Sequence, residues 1–377
     1  MRWEIKRLSD CCVSIADGDH QPPPKADSGV PFVTISNINT YNQFDFTDTM
    51  YVSQEYYERL DSKRKAQKDD ILYSVVGSFG VPVYMKETVP FVFQRHIAIL
   101  RPNETIVPKF LYYTMLSRDF YMMADSVALG AAQRTVSLTA LRNMKIAVPP
   151  LNVQKKITDT LSVYDDLVEN NQKQIKLLEE AAQRLYKEWF IDLRFPGHET
   201  TPITDGVPEG WEYVTVTDLL EIKYGKDHKA LGDGKIPAYG SGGIMRKVNK
   251  TLFSGESVLI PRKGSLNNIL LVSGDFWTID TMFFSVPKRP NTAKYVYLFL
   301  KDVDMYAMNI GAAVPSMTVK ILDGMKLLCP SLEILEQFEK LVEPYFSMTE
   351  LLKKQNESLA DARDLLLPKL MNGEIEV

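Results

Sequence analysis

Two stretches of the chain carry apolar residues at a helical spacing. In each, apolar positions recur every three or four residues, from Ile157 to Trp189 in the first and from Leu335 to Leu370 in the second. A pattern of this length predicts a coiled-coil seam along each helix. The first seam consists of Ile157, Leu161, Tyr164, Val168, Asn171, Ile175, Leu178, Ala182, Leu185 and Trp189. The second consists of Leu335, Phe338, Val342, Tyr345, Thr349, Leu352, Asn356, Leu359, Arg363, Leu366 and Leu370.

The two seams can be aligned in an antiparallel register that places Asn171 opposite Asn356. A buried asparagine at a seam position can fix the register of a coiled coil at some loss of stability. The same register makes the seam ends meet, in the pairs Ile157–Leu370 and Trp189–Phe338. We therefore predict an asparagine pair in the seam. The alternative, that the two residues are unrelated polar gaps, remains open.

The chain outside these helices contains an internal repeat. Residues 130–151 recur as residues 311–332 at an offset of 181 positions without a gap, and both copies begin with Gly-Ala-Ala. Each copy also has an opening Trp-Glu pair and an apolar strand that ends in Gly-Ser, at Trp3 and Gly77 in the first copy and at Trp211 and Gly264 in the second. A repeat of this size indicates two domains of the same fold.

Between these shared features, the pattern is typical of mixed domains with many short strands. Residues 31–36 and 257–260 are predicted to be strands, and the aromatic-rich residues 110–117 and 295–300 are predicted to be helices that pack in the core. The predicted fold class is α+β. It consists of two globular mixed α/β domains joined by two long antiparallel coiled-coil helices, with the internal repeat giving pseudo-two-fold symmetry.

The repeat and the seams divide the chain into four segments. We call the two globular domains the first head and the second head. The predicted boundaries are 1–150 for the first head, 151–195 for the first long helix, 196–330 for the second head and 331–377 for the second long helix.

The net charge of −4 is unevenly distributed. The segment 331–377 has ten acidic and five basic residues, and 151–190 has seven acidic and six basic residues, whereas each head carries one more basic than acidic residue. Net charge bears on solubility and non-specific binding rather than on local surface pattern, so it neither favours nor excludes nucleic-acid binding. The acidic helical segments are better suited to docking a protein than to binding phosphate.

The cysteine content and the hydropathy indicate a cytoplasmic protein. An odd number of cysteines, Cys11, Cys12 and Cys329, fits neither a disulfide framework nor a zinc site, so reduced thiols are expected. No apolar run approaches the ~20 residues needed to cross a bilayer, so no membrane association is expected.

We recognise no catalytic constellation in the chain. Residues 148–151, Val-Pro-Pro-Leu, lack the amide or carboxylate and the aromatic side chain of the similar amino-methyltransferase motif. Asp205 with Glu221 and Lys223 matches a nuclease metal-site pattern, but that pattern is common by chance, and the four histidines have no metal-ligand spacing. We expect no catalytic residue and no metal site. A self-contained methyltransferase or nuclease remains a rival class that turnover by the isolated chain would reveal.

Several motifs resemble those of the specificity subunits of type I restriction–modification systems. Residues 207–212, Val-Pro-Glu-Gly-Trp-Glu, look like the opening of such a subunit's target-recognition domain. Residues 148–154 with the helix that follows are similar to the family's central conserved region, and residues 363–375 are similar to its C-terminal conserved region. The resemblance covers essentially the whole chain. The first repeat departs slightly, since it starts at Trp3 without a Pro-Glu-Gly leader.

The resemblance implies a subunit that recognises a bipartite, asymmetric site in double-stranded DNA and has no catalytic site of its own. Two modification (methyltransferase) subunits would dock on the helices, and restriction subunits would join them. This chain would bind no cofactor, since S-adenosylmethionine, ATP and Mg²⁺ would be used by the partner subunits. The alternative is a non-enzymatic coiled-coil scaffold whose heads bind a protein or another ligand. Salt-sensitive binding to duplex DNA would distinguish the two.

Candidate DNA-binding residues follow from the chemistry of the duplex. Arg, Lys, Asn and Gln read base edges, while phosphates are held by basic and hydroxyl side chains and by backbone amides. The candidates in the first head are His20, Gln21, Lys25, Ser78, Arg95, His96, Gln133 and Arg134. Those in the second head are Tyr239, Ser241, Arg262, Lys263, Ser265, Asn267 and Asn268. Gly77 and Gly264 would let the backbone approach a phosphate or turn tightly.

Two further sets of residues complete the prediction. The basic clusters 63–65 and 288–289 are interpreted as solvated surface. The candidates for the coiled coil and for subunit docking are Ile157, Leu161, Tyr164, Val168, Asn171, Leu178, Leu185, Trp189, Leu352, Asn356, Leu359 and Leu366.

Overall fold

A computed structural model describes residues 3–20, 23–47, 49–131, 133–309 and 314–376. The chain forms two compact units. The first unit contains the chain up to Asn170 and from Gln355 onward, and the second contains Asn171–Lys354. Each unit thus includes one head and half of each long helix. The predicted boundaries between heads and helices stay predictions, because these units cut the long helices instead of separating them from the heads.

The first head begins and ends with strands that pair with each other. Its strands are β1 (Glu4–Arg7), β2 (Cys12–Asp17), β3 (Val30–Val33), β4 (Met50–Val52), β5 (Ile71–Ser74), β6 (Pro82–Tyr84), β7 (Val92–Phe93), β8 (Ile97–Pro102) and β9 (Lys145–Val148). Its helices are α1 (Gln54–Arg59), α2 (Pro108–Leu116), α3 (Arg118–Val127) and α4 (Leu138–Asn143), and the first long helix is α5 (Leu151–Tyr186). A π-helical turn at Lys187–Ile191 follows α5.

The second head contains a related set of elements, with an additional short hairpin at its start. Its strands are β10 (Ile203–Thr204), β11 (Val207–Pro208), β12 (Glu212–Thr215), β13 (Leu220–Tyr224), β14 (Asp233–Gly240), β15 (Gly243–Val248), β16 (Phe253–Ser254), β17 (Ser257–Pro261), β18 (Leu270–Val272), β19 (Asp275–Thr278), β20 (Met282–Pro287) and β21 (Lys326–Cys329). Its helices are α6 (Val216–Leu219), α7 (Ala293–Asp302) and α8 (Val319–Gly324), and the second long helix is α9 (Leu332–Met371).

The larger sheet has the same topology in both heads. The first contains a sheet of order β2-β8-β5-β6, and the second contains the equivalent sheet β13-β20-β17-β18. The other sheets differ in size, with the order β4-β3-β7 in the first head and β15-β14-β19-β16 in the second, but each contains one parallel pair, β3 with β7 and β14 with β19. The fold class is the predicted one, with two repeated α+β domains and two long helices.

The repeat extends to the register of individual residues. In the first head β1 pairs with β9 so that Glu4 faces Val148, and in the second head β12 pairs with β21 so that Glu212 faces Cys329. Val148 and Cys329 are separated by the 181 positions of the sequence repeat. The repeat seen in the sequence therefore describes a shared backbone structure.

Within each unit the long helices run antiparallel. The start of α5 and the end of α9 share one core, which contains both Ile157 and Leu370. In the second unit the end of α5 meets the start of α9, and the ring centroids of Trp189 and Phe338 lie 5.7 Å apart. The predicted contact between Trp189 and Phe338 is therefore present, and Ile157 and Leu370 lie in the same core. Asn171 and Asn356 are buried but belong to different units, so their pairing stays a prediction.

The remaining seam positions differ in burial. Fully buried are Ile157, Leu161, Val168, Asn171, Trp189, Leu352 and Asn356. Half-buried are Tyr164, Leu178, Leu185, Leu359 and Leu366. A core-facing seam with partly open edges is expected of two long helices that also pack against a head.

One predicted strand is too long. The run 31–36 was expected to be extended throughout, but β3 ends at Val33 and a 3₁₀ turn begins at Ile35. The cause is local, because the backbone N–H of Thr34 donates to the side-chain oxygen of Asn37 at 2.9 Å and ends the strand. No helix among the described residues has the length and apolar character that a membrane span requires.

Candidate nucleic-acid interface

Four loops of the first head are joined by backbone hydrogen bonds. They are residues 18–20 after β2, 75–80 between β5 and β6, 94–96 between β7 and β8, and 129–136 between α3 and α4. The bonds run from the N–H of Arg95 to the carbonyl of Asp19 (2.9 Å), from Val75 to His96 (2.8 Å) and from Gly77 to Arg134 (2.9 Å). We call these four loops the first loop surface.

The first loop surface brings together six of the eight candidates predicted for this head. They are His20, Ser78, Arg95, His96, Gln133 and Arg134, and all but the half-buried His96 are exposed. Lys25 is also exposed but lies beside β4, since the N–H of its neighbour Ala26 donates to the carbonyl of Tyr51. Gln21 lies outside the described residues.

The His20 loop is held by a network of charged and hydroxyl groups. The hydroxyl of Tyr56 donates to Asp19 at 2.6 Å, and the guanidinium of Arg64 lies 3.3 Å from the same carboxylate. The imidazole Nε2 of His20 lies 2.9 Å from Asp17. The interpretation of residues 63–65 as solvated surface is therefore wrong for Arg64, which positions a loop of this surface.

Arg134 also has a protein partner. Its guanidinium forms an ion pair with Asp125 and lies 5.7 Å from the centre of the Phe79 ring, which stacks on Tyr121. Part of the positive charge is therefore compensated within the head. Gln133 is exposed, and its Nε2 lies 3.7 Å from the point where a Cβ at residue 77 would stand. The glycine leaves room for this amide.

His96 is the titratable group of this surface with a shifted pKa. Burial, followed by the neighbouring charge of Arg95, lowers the pKa of His96 below its ordinary value of 6.5. Both effects disfavour the imidazolium form. His96 is therefore neutral at pH 7 in the absence of an anionic ligand.

The second head has a set of connected loops, three of which correspond to loops of the first head. They are residues 262–269 between β17 and β18, 279–281 between β19 and β20, and the segment 315–316. The fourth loop, residues 239–243 at the turn from β14 to β15, has no counterpart in the first loop surface. The bonds run from the N–H of Arg262 to the carbonyl of Thr281 (2.8 Å), from Gly264 to Pro315 (3.0 Å) and from the side chain of Asn268 to Ser241 (2.8 Å). This second loop surface contains all seven residues predicted for the head.

The seven side chains differ in whether they already contact other groups of the protein. Arg262 donates to the carbonyl of Asp280 at 3.0 Å and lies over the Tyr224 ring. The side-chain oxygen of Asn267 accepts the N–H of Met305 at 2.9 Å. Lys263 and Ser265 are exposed. Tyr239, Ser241 and Asn268 are half-buried, so their polar atoms lie at the base of the surface.

The two loop surfaces occupy the same place in the repeat. The acceptors of the glycine N–H groups, Arg134 and Pro315, are separated by the 181 positions of the repeat. Gly77 and Gly264 both have positive φ, +70° and +88°, a conformation that favours glycine. The predicted role of these glycines in tight turns is confirmed.

Sequence reasoning missed a second pair of equivalent glycines. The N–H of Gly18 donates to the carbonyl of Ile97 and that of Gly225 to Met282, at 3.2 and 3.1 Å. A Cβ at either glycine would lie about 2 Å from a carbonyl oxygen of the next loop (2.1 and 1.9 Å), so no larger residue fits there. The signal that could have found them is their position, since each directly follows an early strand of its head, β2 or β13.

The described residues contain no cluster of three or more His, Cys, Asp or Glu side chains arranged to hold a metal ion. Cys11 and Cys329 are buried, and burial raises the pKa of the half-buried Cys12 to about 12. Burial also raises the pKa of Cys11 and of Cys329, so the protonated thiol is favoured at all three positions. The absence of a cofactor in this chain stays a prediction.

Comparison with known proteins supplies the context for the two surfaces. The family described as the type I restriction modification DNA specificity domain matches residues 2–180 and 208–360. The chain is 24% identical to the type I restriction enzyme MjaIX specificity subunit of Methanocaldococcus jannaschii, over 100% of this chain and 94% of that protein. It is 23% identical to the HindI specificity subunit of Haemophilus influenzae, over 83% of this chain and 88% of that one.

A solved structure has the same fold. The crystal structure of the type I restriction-modification system S subunit from M. genitalium superposes with a TM-score of 0.52 at 17% identity. The superposition covers 98% of this chain and 96% of that chain. Two heads and two long helices are therefore shared across the full length.

Proposed function

Because the chain belongs to the family of type I restriction–modification DNA specificity domains, we propose that it reads a bipartite, asymmetric site in double-stranded DNA, one half-site with each loop surface. As a specificity subunit it recognises DNA and has no catalytic activity of its own. The observation that carries the proposal is the equivalence of the two loop surfaces, whose backbones are held alike while their side chains differ.

The two loop surfaces have similar backbones but different side chains, which accounts for the asymmetry of the DNA site. The Gly77 and Gly264 turns hold the loops in the same way in both heads, and this sets how each head meets the duplex. The residues at equivalent positions beside these turns differ, since Gln133 and Arg134 of the first head correspond to Val314 and Pro315 of the second. Different side chains on equal scaffolds favour different base sequences in the two half-sites.

The side chains divide into two groups, according to whether they are available to DNA or already bind other groups of the protein. Lys263 and Ser265 are exposed beside the Gly264 turn and suit phosphate contacts, which give affinity without sequence information. The exposed amide of Gln133 suits a base edge, whereas the amide of Asn268 already donates to the carbonyl of Ser241. Arg134 and Arg262 already bind protein groups, so we assign them to holding the loops.

The long helices offer a surface for other subunits. Exposed apolar side chains recur along α9, at Leu341, Met348, Leu351 and Leu365, in the most acidic segment of the chain. Exposed apolar residues with acidic neighbours suit a protein partner rather than DNA. We assign this surface to two modification subunits, with restriction subunits joining the complex. S-adenosylmethionine, ATP and Mg²⁺ are used by those partners.

The deciding experiment is co-expression of the chain with its modification subunit, followed by mapping of methylated adenines in the host genome. The expected result is methylation confined to one bipartite, asymmetric motif. Replacing the 262–269 loop should change only one half of that motif. Stable complexes with no motif-specific methylation would overturn the proposal. Salt-insensitive binding of the purified chain to duplex DNA would favour the protein-scaffold alternative.

A further inference from the structure

One carboxylate joins the first head to both long helices. The hydroxyl of Tyr113 on α2 donates to one oxygen of Asp165 on α5 at 2.7 Å. The guanidinium of Arg363 on α9 donates to the other oxygen at 2.6 Å. We call these three residues the Asp165 junction. It is sheltered, since Tyr113 is fully buried and 21% of the Asp165 side chain and 16% of the Arg363 side chain are exposed.

The other charged links between this head and α5 are weaker. Lys109 lies 3.8 Å from Asp166, whose side chain is 62% exposed, and Lys86 pairs with Glu169 near the surface. Exposed ion pairs contribute about 0–1 kcal/mol and hold no fixed geometry. These pairs therefore do not determine the orientation of the first head relative to α5.

A buried amide supplies a second fixed point. Gln154, in the first turn of α5, accepts the N–H of Val107 at 2.7 Å. It lies eleven residues before Asp165, which corresponds to about 16 Å along a helix. A head attached to α5 at one point could pivot about that point, whereas attachment at two separated points fixes its orientation relative to the helix.

Apolar contacts cannot replace the second point. Ile157, Leu161, Leu367 and Leu370 share one core with the head, but burial of apolar surface is non-directional and sets no donor–acceptor geometry. Hydrogen bonds to a sheltered carboxylate fail outside a narrow range of distance and angle. Burial, followed by the charge of Asp165, raises the pKa of Tyr113, so its hydroxyl keeps the proton that it donates.

We propose that Asp165 is a positioning residue that fixes the direction of the first head on its helices and thereby restricts the chain to one spacing between half-sites. The inference rests on the proposed function. Adjacent spacings differ by about 3.4 Å of rise and a tenth of a turn, so a modest rotation of the head suffices to change the preference.

The test compares two junction variants with a matched control. Tyr113→Phe removes the head's hydrogen bond and keeps the ion pair of Asp165 with Arg363, while Asp165→Asn weakens both contacts. Asp166→Asn removes an adjacent charge outside the junction. Each chain is co-expressed with the modification subunit. The host carries a set of DNA sites in which the wild-type half-sites are kept and the number of base pairs between them is varied one at a time. Methylated adenines are identified by sequencing.

The wild type and Asp166→Asn should methylate one spacer length. Both junction variants should also methylate sites one base pair shorter or longer, with the half-site bases unchanged. An unchanged single spacer in folded variants, with methylation merely reduced, would overturn the inference, because a purely stabilising contact lowers yield without changing spacing. If Asp165→Asn does not assemble, Tyr113→Phe decides by the same criterion. Failure of the wild type to methylate any bipartite site would instead count against the proposed function.

Discussion

The Nζ of Lys294 on α7 lies 2.6 Å from the carboxylate of Glu339 on α9 and ties the second head to its long helix. Glu256 and Glu343 lie 2.6 and 2.8 Å from the same ammonium, whose side chain is 6% exposed. Burial alone would lower the pKa of Lys294, but hydrogen bonds to the three carboxylates raise it above its ordinary value. Burial raises the pKa of Glu339. Each head is therefore joined to a long helix by a sheltered charged group, of different chemistry in the two units.

Replacing Lys294 with methionine should destabilise the second unit strongly at neutral pH. The change leaves three carboxylates together without a cation, and breaking a buried pair in this way costs about 3–5 kcal/mol. The loss should shrink toward acidic pH, because Glu339, whose pKa burial raises, takes up a proton and the repulsion among the carboxylates falls. Lys294 itself stays charged over this window, since its charge is lost only above its raised pKa.

The measurement is urea unfolding of both chains at about pH 5 and about pH 8, where the charge of a carboxylate with a raised pKa differs most. Lys340→Met is the control, because Lys340 forms an exposed pair with Glu336 on the same helix. A stability loss in Lys294→Met that is equal at both pH values would contradict the assignment of the effect to the carboxylates.

Gly264→Ala should weaken recognition of one half-site. Gly264 has φ of +88°, and a Cβ there would lie 2.9 Å from the Oγ of Ser241, so the loop must shift. The conformational cost is about 1–2 kcal/mol for a residue with a side chain. The control is Gly324→Ala, which adds a Cβ in open space in the same head but outside the loop surface. Binding of duplexes mutated in either half-site measures the effect, and equal losses from the two alanine variants would count against it.

Lys263→Ala should weaken DNA binding to a similar extent for all sequences. An exposed lysine that contacts phosphate releases counterions, so its removal lowers the slope of log affinity against log salt by about 1. Lys326 is also exposed and lies on β21, and Lys326→Ala should leave the slope unchanged. A lost preference for one base, with an unchanged slope, would instead identify Lys263 as a base reader.

His96 should take up a proton when the first head binds DNA. The pKa of His96 is lowered in the free protein, and a nearby phosphate favours the imidazolium form, so affinity should rise as pH falls from about 8 to about 6. His96→Gln should flatten this dependence without changing the response of the second head. A pH dependence that persists unchanged in His96→Gln would assign the proton to another group.

The features that sequence predicted are those with a local or periodic signal. The seams on α5 and α9 follow from a spacing of three and four residues, and the repeat follows from similar segments that end at equivalent strands. The Gly77 and Gly264 turns follow from an apolar strand that ends in Gly-Ser. None of these requires knowledge of which distant residues meet.

The sheltered links between heads and helices lacked such a signal. Tyr113 belonged to a segment interpreted as core packing, and its ring is buried, yet its hydroxyl binds a carboxylate 52 residues away. Arg363 was counted as a seam position, but its partner Asp165 is 198 residues away. Pairing at these distances depends on the folded backbone, and a single sequence carries no record of it.

The first unit is built from two separate segments of the chain, and this determines the order in which the newly made chain can fold. Its core needs Leu367 and Leu370, whereas the second unit is one continuous segment, Asn171–Lys354. At ~5–20 residues per second, a ribosome needs roughly 10–40 s to add the residues between Asn170 and Leu370. During that interval Ile157 and Leu161 lack the α9 side chains with which they share a core. The second unit can close first, and a chain that terminates before Leu367 lacks part of the core of the head that was synthesised first.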